Sequence, residues 1–227
     1  MSTPRLLLLD LALVGACGTP AEPAPRAPAG SLAPAPAPAP AADLLEDGAR
    51  PPSPVNVPDA EEGAVPVSVL LEADGTMPRP YRAEQIAAAF SLGTWNRYRI
   101  ATAGRPTVEQ RTEVVAWSPE EVTMEQQVFA EDGQALGPAA PMQATWDELR
   151  EHAAFPAAGT VLHLAELSLP CGSFACQRYT VHGEANGQPS VSTFWFANDR
   201  PGPPVLYTVD TAGERSMTMT LLDWGPR

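Results

Sequence analysis

Cysteine and histidine are the residues of this chain with the most varied chemistry, and the 227-residue sequence has only three of each. Cys171 and Cys176 are separated by Gly-Ser-Phe-Ala. In an exported chain, two such close thiols favour a disulfide that closes a hairpin loop. The alternatives are a redox dithiol, which usually separates its cysteines by two residues, and half of a metal site, which has no second cysteine pair here. The spacing therefore predicts a structural Cys171–Cys176 disulfide across a hairpin turn.

The histidines are dispersed, and two of them have a glutamate close in sequence: His152, His163 and His182, with Glu166 and Glu184. A metal site of His and Glu is conceivable, but the metal-binding helix pattern H-E-x-x-H is absent. The serine-hydrolase pattern G-x-S-x-G is absent too, and Ser173 between the cysteines reads as a turn residue. We therefore expect no catalytic residue, no metal and no cofactor. A metal-dependent or other hydrolase is the enzyme alternative.

The charged residues exclude further functions. All fourteen basic residues are arginine, and the formal net charge is −13. Without lysine there is no Schiff base, no Ser-Lys dyad and no phosphate-binding Walker lysine. An acidic chain without a basic stripe is also a poor partner for a polyanion, so we expect no nucleic-acid binding.

Residues 6–16 read LLLLDLALVGA and run directly into Cys17. The stretch is too short to span a bilayer and has the length of the apolar region of an export signal, although Asp10 lies in its middle. It resembles a bacterial lipoprotein signal, with Val14, Gly15 and Ala16 before the cysteine. That resemblance implies that the Cys17 thiol is diacylated and its amine becomes the mature N-terminus. The membrane would then be a partner through this lipid. The alternative is an ordinary buried helix.

Residues 18–63 follow this signal and are rich in proline and alanine, with runs such as APAPAPAPAA. Such a composition lacks the apolar area needed for a core and favours extended polyproline II. We expect a disordered, acidic tether with a reach on the order of 100 Å. By analogy with Gram-negative sorting, Gly18 after the acylated cysteine permits delivery to the outer membrane. The signal, tether and folded domain are thus predicted at 1–17, 18–63 and 64–227.

Residues 64–227 regain aromatic residues and hydrophobic periodicity, which predicts one β-rich domain of the α+β class. A short helix is predicted over 81–90, and a second begins at the capping-box residues Thr145 and Glu148 and ends near Phe155 and Pro156. Seven or eight antiparallel strands, joined by short turns, should form a strongly curved, half-barrel-like sheet. The predicted strands are 95–101, 107–117, 122–130, 161–169, 177–182, 190–197, 205–209 and 217–222, with 65–69 as a further candidate.

Four segments of this region carry a resemblance: YRAEQIAAAFSLGTW, TWDELREHAAFP, LPCGSFACQRYTV and STFWFANDRPGPPVLY. They are similar to segments of uncharacterised exported proteins and lipoproteins of high-GC proteobacteria, a family from which no activity carries over. The order of elements also resembles the LolA-like half-barrel envelope proteins, some of which bind acyl chains. No ligand residue transfers from that resemblance.

Aromatic residues cluster near the end of the domain. In a strand, Phe194 and Phe196 face one way and Trp195 the other, so both faces need cover. Ordinary core packing is one interpretation. The other is a face, formed with Tyr207, that holds a hydrophobic ligand or an envelope protein partner.

Together these features predict a lipid-anchored envelope protein, periplasmic or surface-facing, that acts by binding or as a structural element. The alternative is a carrier or sensor of a lipid-like ligand.

Overall fold

A computed structural model describes residues 65–66 and 69–226. All of them belong to one compact unit. The strands are β1 Val65–Pro66, β2 Trp95–Thr102, β3 Val108–Trp117, β4 Glu121–Ala130, β5 Ala140–Thr145, β6 Thr160–Leu169, β7 Gly172–Ala185, β8 Gln188–Ala197, β9 Leu206–Thr211 and β10 Glu214–Gly225. The helices are α1 Ala83–Ala89 and α2 Trp146–Glu151.

The strands form one antiparallel sheet that is not closed, in the order β1-β6-β7-β8-β9-β10-β2-β3-β4-β5. Two meanders, β6 to β10 and β2 to β5, are joined where β10 pairs with β2, for example at Met219 and Ile100. The α+β, β-rich class is confirmed. The predicted count of seven or eight strands is wrong, because the described residues form nine strands of six residues or more besides the two-residue β1.

The predicted capping box begins α2. The Thr145 hydroxyl accepts from the Glu148 amide at 3.2 Å, and the Glu148 carboxylate accepts from the Thr145 amide at 2.8 Å. This pair satisfies amides that have no partner in the first turn of a helix. The helix ends at Glu151, earlier than predicted. In the described part of the chain, no helix is long and apolar enough to cross a membrane.

Two tight turns connect strands of the β6–β10 meander. Asn186 and Gly187 join β7 to β8 with φ of 53° and 76°, and Ala212 and Gly213 join β9 to β10 with φ of 53° and 84°. Positive φ at both central residues matches the right-handed twist of a two-residue hairpin.

Hydrophobic residues are buried in two clusters. The first core cluster comprises Met77, Tyr81, Ile86, Val114, Val122, Met124, Trp146, Ala153, Phe155, Leu162, Tyr179, Val181 and Phe196. The second core cluster comprises Tyr98, Leu167, Leu169, Phe174, Cys176, Trp195, Ala197, Val205, Leu206 and Leu221. Both helices contribute to the first cluster, and successive β8 residues alternate between the two. The sheet is therefore covered on both faces along β8.

The turn between β6 and β7 reaches strand β10. The Cys171 thiol donates to the Leu221 carbonyl at 3.3 Å, and the rings of Phe174 and Trp224 lie 5.7 Å apart. In a flat sheet, the three strand spacings from β7 to β10 would separate these groups by about 14 Å. The hairpin end therefore folds over β8 and β9, which helps to bury the second core cluster.

Candidate functional site

The predicted acylation site, Cys17, lies outside the described residues, as do the signal and the tether. The other predicted site residues lie in strands of the sheet, except Cys171, which lies in the β6–β7 turn.

Cys171 and Cys176 do not lie across a turn from each other. Leu169 pairs with Gly172, so the turn consists of Pro170 and Cys171, and Cys176 lies within β7 opposite Ala165. Both cysteines carry free thiols. Cys176 lies four positions after Gly172 along an extended strand, a distance of about 13 Å, whereas a disulfide needs Cα atoms within about 7 Å. The predicted disulfide is therefore not formed in the structure, because the hairpin turn is tighter than the sequence interpretation assumed.

The two thiols differ in environment. Cys171 is half-buried and bonded to the Leu221 carbonyl, whereas Cys176 is 1% exposed, and its thiol lies 3.6 Å from the Phe174 carbonyl. Burial raises the pKa of both thiols, and that of Cys176 to about 12. Because the thiolate is the reactive form, Cys176 behaves as a small core residue.

The predicted aromatic face is packed by the chain itself. Phe194 stacks on Tyr207 with ring centroids 4.4 Å apart, and Phe155 lies 4.7 Å from Phe194. Phe196 and Trp195 are each 5% exposed and belong to the first and second core clusters respectively. Phe194, Phe196 and Tyr207 thus pack on one face of the sheet and Trp195 on the other. Phe155 covers the face that carries Phe194.

Residues 76–81, which we call the strap, hold Phe155 over this face. The Met77 amide donates to the Phe155 carbonyl at 2.9 Å, and the Tyr179 hydroxyl donates to the Pro78 carbonyl at 2.7 Å. The Tyr81 hydroxyl donates to the carbonyl of Ala197 on β8. Burial raises the pKa of both tyrosines, which keeps their hydroxyls protonated as donors.

Arg79 fixes this strap to α2 and was not foreseen from the sequence. Its side chain is 4% exposed and contacts three carboxylates: it binds Glu72, lies 2.9 Å from Asp74 and lies 2.5 Å from Glu151. Arg150 contacts Glu72 at 3.0 Å and Glu151 at 2.9 Å. Two cations therefore share three carboxylates, and we call these five residues the Arg79 clasp. The acid and base spacing along the sequence carries no signal for it, since Glu151 is 72 positions from Arg79.

Local hydrogen bonds keep one carboxylate of the clasp ionised. The pKa of Asp74 lies well below its usual range, first because the Thr76 hydroxyl donates to it at 2.6 Å and also because Arg79 does. The clasp is thus a structural ion-pair network near neutral pH.

The histidine and serine candidates are not brought together into a catalytic group. Nδ1 of His163 lies 3.3 Å from the guanidinium of Arg178, and burial together with that cation lowers the pKa of His163. Ser173 lies 3.2 Å from Ser168, hydroxyl to hydroxyl. Among the residues with described positions, no three His, Cys, Asp or Glu side chains could hold a metal ion together.

An open groove of about 470 Å³ lies beside the C-terminal end of α1 and the β3–β4 turn. We call it the α1 groove, and it is lined by Phe90, Ser91, Leu92, Val115, Ala116 and Trp117. Leu92, Val115 and Trp117 are 69%, 38% and 45% exposed. The indole N–H of Trp117 donates to the Ala87 carbonyl at 3.4 Å. Sequence analysis missed this groove because Leu92 and Trp117 lie in separate elements and become neighbours only in the fold.

The Trp117 ring packs near Trp146 of the first core cluster. Its centroid lies 6.3 Å from that of Trp146, which in turn lies 6.0 Å from Phe90. The floor of the α1 groove is therefore supported by a packed aromatic set. Such a floor holds the exposed apolar groups in place.

No protein-family model and no curated protein sequence matches this chain.

Proposed function

We propose that the protein is a lipid-anchored envelope protein that acts by binding rather than by catalysis. The observation that carries the proposal is the 6–16 apolar stretch followed by Cys17, the arrangement of a lipoprotein signal. In this proposal the Cys17 lipid holds the protein in the membrane, most directly the outer membrane, and residues 18–63 connect it to the folded domain. The resemblance to exported lipoproteins of high-GC proteobacteria agrees with this assignment.

The folded domain supports a binding role through its surface. The α1 groove presents three exposed apolar side chains, whereas the histidines and Ser173 are dispersed. Exposed contiguous apolar residues on a soluble fold are typical of an interaction site. Binding at this surface requires no catalytic group.

We also propose that the sheet is half-barrel-like, as the resemblance to LolA-like proteins implies. Support comes from the contact between Cys171 and Leu221, which brings the β6–β7 turn onto β10. Both helices pack on the same core cluster as Tyr179 and Phe196 of the sheet. A curved sheet with helices on its concave side is consistent with both features.

A carrier of a lipid-like ligand is the second candidate. It is favoured by the aromatic side chains beneath the strap, where Phe155 covers Phe194 and Tyr207 stacks on it. In this case the strap and Phe155 would move aside to admit an acyl chain between the aromatic rings. A retained lipid in protein purified under native conditions would support this candidate.

Metabolic labelling with a radioactive fatty acid in the native host tests the anchor. We expect the wild-type protein to incorporate the label and the Cys17→Ser variant to lose it. Cys171→Ser is the matched control, because it also removes one thiol, and it should label like the wild type. Labelling that survives Cys17→Ser, or a wild-type protein without label, would contradict the proposal.

A further inference from the structure

The α1 groove has the composition of a membrane-contacting surface. Leu92 extends from the segment after α1 and is 69% exposed, while Trp117 at the end of β3 is 45% exposed. Val115, at 38% exposure, lies on the same strand as Trp117 and lines the same groove. Aliphatic groups beside a half-exposed tryptophan are the combination found where proteins meet the headgroup layer of a bilayer.

Trp117 is held in an orientation suited to that layer. Its indole N–H donates to the Ala87 carbonyl, and its ring lies near Trp146, which is only 4% exposed. The N–H is thus satisfied within the protein, and the outer part of the ring is available to apolar groups. A tryptophan fixed in this way does not need to be ordered on contact, which lowers the entropic cost of binding.

We infer that the α1 groove contacts the surface of the phospholipid bilayer in which the protein is anchored. This inference rests on the proposed Cys17 anchor. Fifty-one residues, 18–68, connect Cys17 with the first continuously described residue, Val69. Even fully extended, this segment keeps the domain within about 180 Å of the bilayer. Once the lipid is inserted, contact between the groove and the bilayer is an intramolecular step, so a small apolar surface is sufficient for binding.

The charges around the groove determine which lipid headgroups it can contact. Glu120 lies in the β3–β4 turn and Glu121 begins β4, shortly after Trp117, and Glu84 is exposed on α1, the helix whose Ala87 carbonyl accepts from Trp117. The chain also carries a net charge of −13. Anionic headgroups would be repelled, so the surface fits a bilayer with zwitterionic headgroups.

Fluorescence quenching by brominated phospholipids tests this contact in the acylated, full-length mature protein. The protein is reconstituted into phosphatidylcholine vesicles whose acyl chains carry bromine close to the headgroup. We expect quenching that is largely lost in Trp117→Phe and retained in Trp224→Phe. Trp224 is the matched control, because it is 37% exposed and lies at the end of β10, outside the groove.

A second pair of variants tests the groove without replacing the fluorescent residue Trp117. Leu92→Glu should decrease the quenching of Trp117, because it places a charge on the groove, whereas Leu70→Glu should not. Leu70 is 93% exposed and does not line the groove. Replacing half of the lipid by phosphatidylglycerol should also decrease quenching. Circular dichroism of each variant checks that the fold is retained.

Two results would overturn the inference. One is a protein that is acylated by mass but shows no bromine quenching, or quenching unchanged by Trp117→Phe. The other is protection of Trp117 from aqueous iodide without bromine quenching, which would assign the groove to a protein partner or a second copy. A mature protein that lacks acyl groups would instead refute the proposed anchor, so the two failures are distinguishable.

Discussion

The guanidinium of Arg79 lies 2.5 Å from the carboxylate of Glu151, a residue 72 positions later in the sequence. Arg79 belongs to the strap over the aromatic core and Glu151 ends α2. This ion pair therefore connects the beginning of the described domain to a helix that covers the sheet. It also places a nearly buried cation between partly exposed carboxylates.

Arg79→Met should lower the free energy of unfolding by about 2 kcal/mol, because Asp74 loses its paired cation and Glu72 and Glu151 keep only Arg150. A fully buried pair would cost more, but Glu72, Asp74 and Glu151 are 28%, 49% and 48% exposed. Urea unfolding at pH 7 measures the difference. Arg215→Met is the control: Arg215 is 41% exposed and pairs with one carboxylate, that of Asp210, so its loss should cost about 0.5 kcal/mol. Equal effects of the two variants would show that the clasp does not stabilise the strap.

The capping box of α2 makes a prediction about stability. Thr145→Ala should cost about 1 kcal/mol, because the Glu148 amide loses its acceptor at the helix start. Thr107→Ala, in the segment before β3, is a comparison outside any cap and should cost less. Thermal unfolding at pH 7 measures both. A Thr145→Ala variant as stable as the wild type would show that the box contributes little.

Glu148 also makes the stability of the protein depend on pH. Hydrogen bonds from the Thr145 amide and hydroxyl lower the pKa of Glu148 in the folded state. Its contribution is therefore present above the unfolded-state pKa near 4.3 and is lost as the pH falls through the lower, folded-state pKa. We expect Glu148→Gln to be less stable than the wild type at pH 7 and the gap to narrow by pH 3. Urea unfolding at the two pH values measures the gap, and a gap that is the same at pH 7 and pH 3 would contradict this linkage.

The strand register predicts two free thiols of unequal reactivity. Iodoacetamide should alkylate Cys171 in the folded protein and reach the 1%-exposed Cys176 only when the protein opens. Peptide mapping after timed alkylation, with and without urea, measures the order, and Cys176→Ser identifies the faster site. A non-reduced domain two hydrogens lighter than its reduced form would contradict this register and restore the disulfide predicted from the sequence.

The stability cost of truncating Phe155 distinguishes a tightly packed core from a site that opens for a ligand. Phe155 is 7% exposed and its ring lies near those of Phe194 and Tyr179, so Phe155→Ala should cost about 3–5 kcal/mol. Leu136→Ala, at a 56%-exposed position after β4, should cost little. Urea unfolding compares them. A cost below about 1 kcal/mol would indicate loose packing under the strap, which would favour the lipid-carrier alternative.

Local signals predicted the parts of the fold that depend on neighbouring residues. The Thr145 and Glu148 pattern marked the start of α2, and alternation marked most of the long strands. β5 was missed because Ala140 and Pro141 lack the β-branched or aromatic residues that favour strands. The Asn186-Gly187 pair is itself a sequence signal for a two-residue hairpin, and it forms the β7–β8 turn.

Non-local relationships account for the rest. The pairing of β10 with β2 joins segments more than a hundred positions apart, which periodicity does not encode. The disulfide prediction depended on the width of the turn after Leu169, and the two-residue turn moved Cys176 into the strand. The α1 groove and the Arg79 clasp likewise arise from elements that meet only in the folded chain.

The most direct test of the lipid anchor is the intact mass of the protein extracted from its own membranes. We predict a chain that begins at Cys17 and carries covalently attached fatty acyl groups. A protein that retains Met1 and has no acyl group would contradict the proposed function.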